Sequence, residues 1–184
     1  PRVRALARLG VEVADAAAGA DIAIDQTGAR PEPLGEASGL ALDATGRIRT
    51  DRCLRVLGAD GAPIEGVWGA GDAIAVDGLP WLRGGCATAT PLGATAADAI
   101  AAARAGQPPR PVDVGFLFRC ISLGRRDAII QLVDRQDRPT DRWLGGPVAA
   151  AWKEAITAFA GVAPLRLGRV YAWPAARTPA PVSA

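Results

Sequence analysis

The sequence predicts an α/β fold followed by a small α+β C-terminal domain. Three observations carry that expectation. Apolar residues make up 49% of the 184 residues, enough for a real core and too many for a disordered chain. Short apolar strand-like runs, punctuated by Gly and Pro, lead into one helix with its own start and stop signals, Pro91 and Gly106. A Pro-rich stretch, QPPRPVDVG at 107–115, then separates this part from two further strand-like runs and a second helix.

Taken in order, VRALARLGVEV (3–13) reads as a helix stopped at Gly10 and a short strand after it. ADIAIDQTGARPEP (20–33) reads as a strand at Ile22–Ile24 that ends in a Gly turn and a Pro-broken loop. SGLALDATGRIRTDRCLRVLG (38–58) alternates apolar and polar residues around the turn signal Ala44-Thr45-Gly46, as a hairpin does. GAPIEGVWGAGD (61–72) begins as a buried strand should, small and apolar, and ends on Gly71-Asp72. A loop follows to Thr90. The next helix, PLGATAADAIAAARAG (91–106), takes Thr90 or a neighbour as its cap and Pro91 in its first turn. Beyond the boundary, FLFRCISLG and DAIIQLVD are strands joined at Arg125-Arg126. GGPVAAAWKEAITAFAGV (145–162) is an amphipathic helix with Val148, Trp152, Ile156 and Phe159 on one face. The Pro/Ala-rich end reads as a loose tail.

Composition narrows the function. Net charge is +2 with no basic block, so nucleic acid is a poor partner. There is no histidine, which nearly excludes zinc ligation and His-based triads within this segment. Cys53, Cys86 and Cys120 lie far apart with no C-x-x-C, so the spacing suggests neither a redox dithiol nor a zinc knuckle, and no metal site is expected. Sparse cysteines fit a reducing cytoplasm. No run of eighteen apolar residues exists to span a membrane. The chain holds no methionine and opens at Pro1 inside a charged apolar pattern, as a segment of something longer or a processed product does.

The chemistry-bearing stretch is GVWGAGDAIAV (66–76). A strand ending at glycines delivers its next residue to the carboxyl edge of an α/β sheet, where ligands bind. Asp72, acceptor-only, suits the hydroxyls of a polyol. It also suits a cap or an Asx turn, and the dipeptide alone does not decide between them.

The order of these stretches resembles the C-terminal half of the pyridine nucleotide-disulfide oxidoreductase superfamily, and most of all type II NADH dehydrogenase-like FAD-dependent oxidoreductases. ADIAIDQTGARPEPL resembles the A-T-G-type turn where the chain leaves the NAD(P)H domain, with Gln26 in place of the alanine before Thr27-Gly28. GLALDATGRIRTDRCLRV resembles the hairpin that follows, and GVWGAGDAIA the second FAD motif, whose aspartate holds a ribityl hydroxyl. CATATPLGATAADAIAA resembles the segment whose helix points its N-terminus at the flavin. FLFRCISLGRRDAIIQLV and the helix around Trp152 and Lys153 resemble the C-terminal domain of the same proteins. The family's two G-x-G-x-x-G fingerprints are absent here and are expected upstream of Pro1. Between Val13 and Asp21 the chain is shorter than the family pattern.

The resemblance implies part of a two-dinucleotide-binding-domain, Rossmann-like flavoprotein. The end of the NAD(P)H domain falls at 1–33, the C-terminal part of the FAD domain at 34–111, the α+β domain at 112–165 and the tail at 166–184. It implies hydride transfer from NAD(P)H to FAD and onward to a quinone or another acceptor. Its cofactor residues are Gly71, Asp72, Pro91, Leu92, Gly93, Thr27 and Gly28, and no catalytic residue is assigned. A non-catalytic fragment or scaffold, and a disulfide or ferredoxin reductase, stay open beside it. Cys86, near the flavin helix, reads as a reactive thiol or a small buried filler. Cys120, Ser122, Arg125 and Arg126 read as a solvated hairpin tip or a quinone or partner contact. The helix at Val148–Phe159 packs against the FAD domain or across a homodimer, or lies on a membrane at its inner face; Lys153 and Glu154 are its only charges.

Overall fold

A computed structural model describes residues 6–8, 10–15, 19–24, 31, 33–166 and 173–177. The fold is mixed α and β, with two small sheets and helices against them. In chain order the elements are a short helix α1 (Leu34–Ala37), β1 (Ile48–Thr50), β2 (Arg55–Leu57), β3 (Pro63–Trp68), a 3-10 turn (Gly71–Ala73) and β4 (Ile74–Val76). Then follow α2 (Cys86–Arg104), β5 (Phe118–Ser122), β6 (Ala128–Val133), β7 (Pro139–Gly145) and α3 (Pro147–Arg166). Among the described residues, no helix is long and apolar enough to cross a membrane.

The first sheet has the order β3-β2-β1-β4. The hairpin pairs are antiparallel, with Thr50 opposite Val56, while β1 and β4 run parallel with Ile48 opposite Ile74. The turn that starts this sheet is built by Asp43. Its carboxylate receives the N–H groups of Thr45 and Arg47 at 2.8 and 2.9 Å, the Thr45 hydroxyl at 2.7 Å and the Arg47 guanidinium at 2.9 Å. Burial pushes this carboxyl up, but the hydrogen bonds from Thr45 and Arg47 outweigh it and lower its pKa to about 2. The second sheet, β5-β6-β7, is antiparallel throughout, and Cys120 faces Ile130 across it. At the bulge between β6 and β7 the buried Gln131 amide donates to Thr140 O at 2.6 Å and Arg142 O at 3.0 Å. α3 lays Ala149 and Ala150 on Ala128 and Ile130 of this sheet.

The main core lies between the two sheets. Leu54, Leu79, Leu92, Val112, Phe116 and Val133 meet there, drawn from both sides of the 107–115 stretch. One buried acid ties the halves together. Asp137, 4% exposed, sits in the β6–β7 turn with φ +64°. Its carboxylate accepts from Arg83 Nε at 2.7 Å and from Arg119 Nε and Nη2 at 3.0 and 2.8 Å. Arg83 belongs to the loop before α2, Arg119 to β5.

Several expectations fail, each for a physical reason. Val11–Val13 and Ile22–Ile24 are not strands: no described strand lies beside them, and Ile22 and Ile24 are about 80% exposed. β3 is not buried, because among the described residues it bonds only to β2 and its other edge is open; Val67 is 40% exposed. The loop expected between Asp72 and Thr90 contains β4 and the first turn of a helix. α2 starts at Cys86 with Gly85 as N-cap, so Pro91 lies inside it and neither Thr90 nor Pro91 begins it. Pro91 brings no N–H for the Ala87 carbonyl. The Trp173 indole donates to that oxygen instead, at 3.3 Å. Residues 173–177, within the stretch expected to be loose, are therefore packed: Gly115 N–H donates to Pro174 O at 2.7 Å and Ala176 is buried. β7 was not expected at all. On α3 the apolar face is turned outward, with Val148, Trp152 and Phe159 more than half exposed, and the helix buries small alanines instead.

Asp137→Ala should lower stability by about 3 kcal/mol, since it strands two arginines around one half-closed site. Asp137→Asn should lose less, because Asn keeps an acceptor and tolerates positive φ. Urea denaturation decides; a loss from the alanine change below about 0.5 kcal/mol, typical of open surface, would refute the clamp. A second outcome concerns acid. The native Asp43 pKa lies below its usual 3.8, so its contribution is full above that value and lost as pH falls toward about 2. Asp43→Asn should flatten the stability curve over that window, as read by denaturation at stepped pH.

Candidate functional site

Two openings meet at the start of α2. One is a small cleft lined by Gly71, Asp72, Leu82, Arg83, Gly84, Thr88 and Leu92. The other is an apolar groove of about 280 Å³, walled by Cys86, Ala87 and Thr90 of α2, by Phe116 and Phe118, and by Phe159 and Trp173. Arg83 lines the cleft and Phe116 the groove. The guanidinium lies 4.8 Å over the Phe116 ring centroid, a cation–π contact that joins the two walls.

The cleft is built around Asp72. The 3-10 turn that follows the β3 segment presents this side chain to the loop before α2. Asp72 Oδ1 accepts the Gly85 N–H at 2.8 Å. Gly85 has φ +127°, a conformation that side chains oppose, and it lets the backbone N–H turn back to the carboxylate. Asp72 is exposed, and no described group donates to its Oδ2. The first N–H groups of α2 have no carbonyl one turn back, and no side chain caps the helix. A negative group is favoured at that end.

Thr88 is the unexpected member. It is 3% exposed, on the buried face of α2 with Leu92 and Ala96, yet its hydroxyl has no hydrogen-bond partner among the described residues. A buried hydroxyl without a partner costs about 1–3 kcal/mol. Its place in the cleft wall beside Asp72 makes it a donor and acceptor waiting for a polar ligand atom. The signal for it is in the sequence: a hydroxyl stands at the helical spacing Thr88, Leu92, Ala96 where apolar residues belong.

The sequence-predicted residues separate. Gly71, Asp72 and Leu92 come together in the cleft. Pro91 is buried and Gly93 exposed one turn into α2, and neither lines the cleft. Thr27 and Gly28 lie outside the described residues. Arg125 and Arg126 are exposed at the β5–β6 tip, far along the strand from the groove-lining Phe118. Cys86 is exposed at the groove and is no buried filler. Arg83, Arg119 and Asp137 escaped sequence reasoning, because their partners are 18 and 54 residues apart in the chain.

Compared with known protein families and with curated proteins, the sequence matches none.

Thr88→Val keeps the shape and removes the unpartnered hydroxyl. The ligand-free protein should be as stable as before or about 1 kcal/mol more so. A thermal-melt comparison reads this; a clear loss of stability would mean that the hydroxyl already has a partner.

Proposed function

We propose that the chain is the C-terminal part of an FAD-dependent NAD(P)H oxidoreductase, a Rossmann-like flavoprotein of the type II NADH dehydrogenase kind. The observation that carries this reading is the pairing of Asp72 Oδ2, open to a donor, with the unpartnered Thr88 hydroxyl in one cleft at the N-terminus of α2. The residues fit a flavin nucleotide on that ground. Bound FAD would supply the redox chemistry, taking a hydride from NAD(P)H and passing electrons to an acceptor.

What this chain's own residues do is bind and tune. Asp72 is suited to accept from a ribityl hydroxyl, and Thr88 to exchange a hydrogen bond with a neighbouring polar atom. Leu92 adds an apolar side chain to the cleft lining. The free N–H groups of α2 favour negative charge on a nearby ring, worth about 0.3–2 kcal/mol for one helix end. The groove beside them is walled by aromatic and small residues, which suits an apolar acceptor such as a quinone. On this reading the protein works in the cytoplasm, with at most peripheral contact at the inner face of the membrane, and the outward stripe of α3 serves a homodimer or that contact. The scaffold reading draws its support from the open edge of β3.

The protein expressed from its complete reading frame should be yellow and should bleach with anaerobic NADH or NADPH. Asp72→Ala should lose FAD at least tenfold more readily, as measured by flavin-to-protein absorbance after dialysis. A colourless protein in the presence of added FAD would overturn the reading and favour the scaffold; unchanged flavin content in the variant would remove Asp72 from it.

A further inference from the structure

One wall of the apolar groove belongs to no helix or strand. Trp173 and Pro174 line it, from the irregular segment 173–177. The Trp173 indole donates to Ala87 O at 3.3 Å, and Pro174 O accepts the Gly115 N–H at 2.7 Å. Trp173 also packs against the main core, and Ala176 is buried. Among the described residues no strand pairs with this segment. A segment without a ladder opens at lower cost than the sheets beside it. The fit is tightest at Gly115, itself part of the groove lining. A Cβ there would stand 3.0 Å from Ala175 O and from Ala176 Cα, and 3.1 Å from Ala175 C. All three atoms are backbone, so no side-chain rotation relieves them. The glycine is the seat on which the segment rests. The groove lining holds no charged side chain, and Phe116, Phe118, Phe159 and Trp173 bring their rings to it. Such a lining takes an uncharged, flat ring compound. That ligand touches Trp173 and Pro174 only while the segment is docked.

We propose that residues 173–177 form a strap whose docking on Gly115 completes the groove, so that the docked strap and an uncharged aromatic ligand stabilise each other. A ligand that prefers one of two states pulls the equilibrium toward that state. Ligand entry therefore holds the strap closed. Strap release strips the groove of one wall and takes the indole donor from Ala87 O. The coupling is reciprocal, as it must be for any two linked binding events. It reaches the first turn of α2, because Ala87 lies there. Only one thing is taken from the proposed function, that the groove holds a ligand; electron transfer to that ligand is not required.

The test follows amide hydrogen exchange by NMR in the full chain, with and without 2-naphthol as the probe. The Val133 N–H, which donates to Leu117 O at 3.0 Å, is the reference. The Gly115 N–H should exchange about tenfold faster than the reference, or more, because strap opening is local. Saturating 2-naphthol should slow it in proportion to occupancy, since the open form lacks the wall that the probe needs. Gly115→Ala should weaken 2-naphthol binding about tenfold, within the usual range for coupled sites, and leave the circular dichroism unchanged. Should that variant fold poorly, the wild-type exchange decides. A Gly115 N–H no faster than the reference would make the segment a fixed part of the core and overturn the proposal. So would exchange at Gly115 that ignores the probe, equal affinity in Gly115→Ala, or no binding of 2-naphthol beside Phe118. Bleaching of the flavin by NAD(P)H is a separate readout, so each of these failures leaves the flavin reading standing.

Discussion

Asp137 is the point on which the arrangement turns. It is a carboxylate buried in the turn between β6 and β7, and burying a charge is tolerable only when it is paired and hydrogen-bonded. Three guanidinium nitrogens meet that requirement, two from the planar fork of Arg119 and one from Arg83. Arg119 Nη2 also donates to the Asp137 carbonyl at 2.8 Å, which holds the turn itself. Arg83, fixed at one end by Asp137, is spread over Phe116 at the other. The loop before α2 is thereby set against the second sheet. The position of the α2 N-terminus, and with it both openings, follows from that one acid.

The second dependency is at the other end of the chain. Pro91 interrupts the ladder of α2, and the Trp173 indole fills the place of the missing donor. A helix read by local rules alone would begin at the proline, since its absent N–H is harmless there. The sequence holds that local rule and also the residue that overrides it, but the indole and the Ala87 carbonyl it reaches are 86 positions apart. Local punctuation made the body of α2, its stop near Gly106 and the β5–β6 hairpin readable. It failed wherever a distant partner decides. PTDRWLG has no strand alternation and becomes β7 because β6 offers it a register. GVWGAGD reads as a core strand, yet its described neighbours cover one edge only.

The candidate site divides along the same line. Gly71 and Asp72 stood out in the sequence because a carboxylate after glycines is locally odd. Thr88 left a fainter mark, a hydroxyl at the helical spacing of Leu92 and Ala96, and only its burial without a partner gives that mark weight. Asp137 lies in DRQDRPT, a string that reads as a solvated turn. Its burial comes from the fold, and no window of the sequence contains it.

The open edge of β3 has a bearing on how copies of this chain treat one another. A bare strand edge is a template on which any extended segment can add. This one is poorly suited to that use. Pro63 withholds a donor at its start, Glu65 places a charge in its middle, and Gly66, with φ +76°, bends the backbone out of the flat path. A stranger's strand would find three obstacles in six residues. The edge is thus selective: it discourages indiscriminate stacking while leaving its remaining groups to a partner shaped to follow the bend.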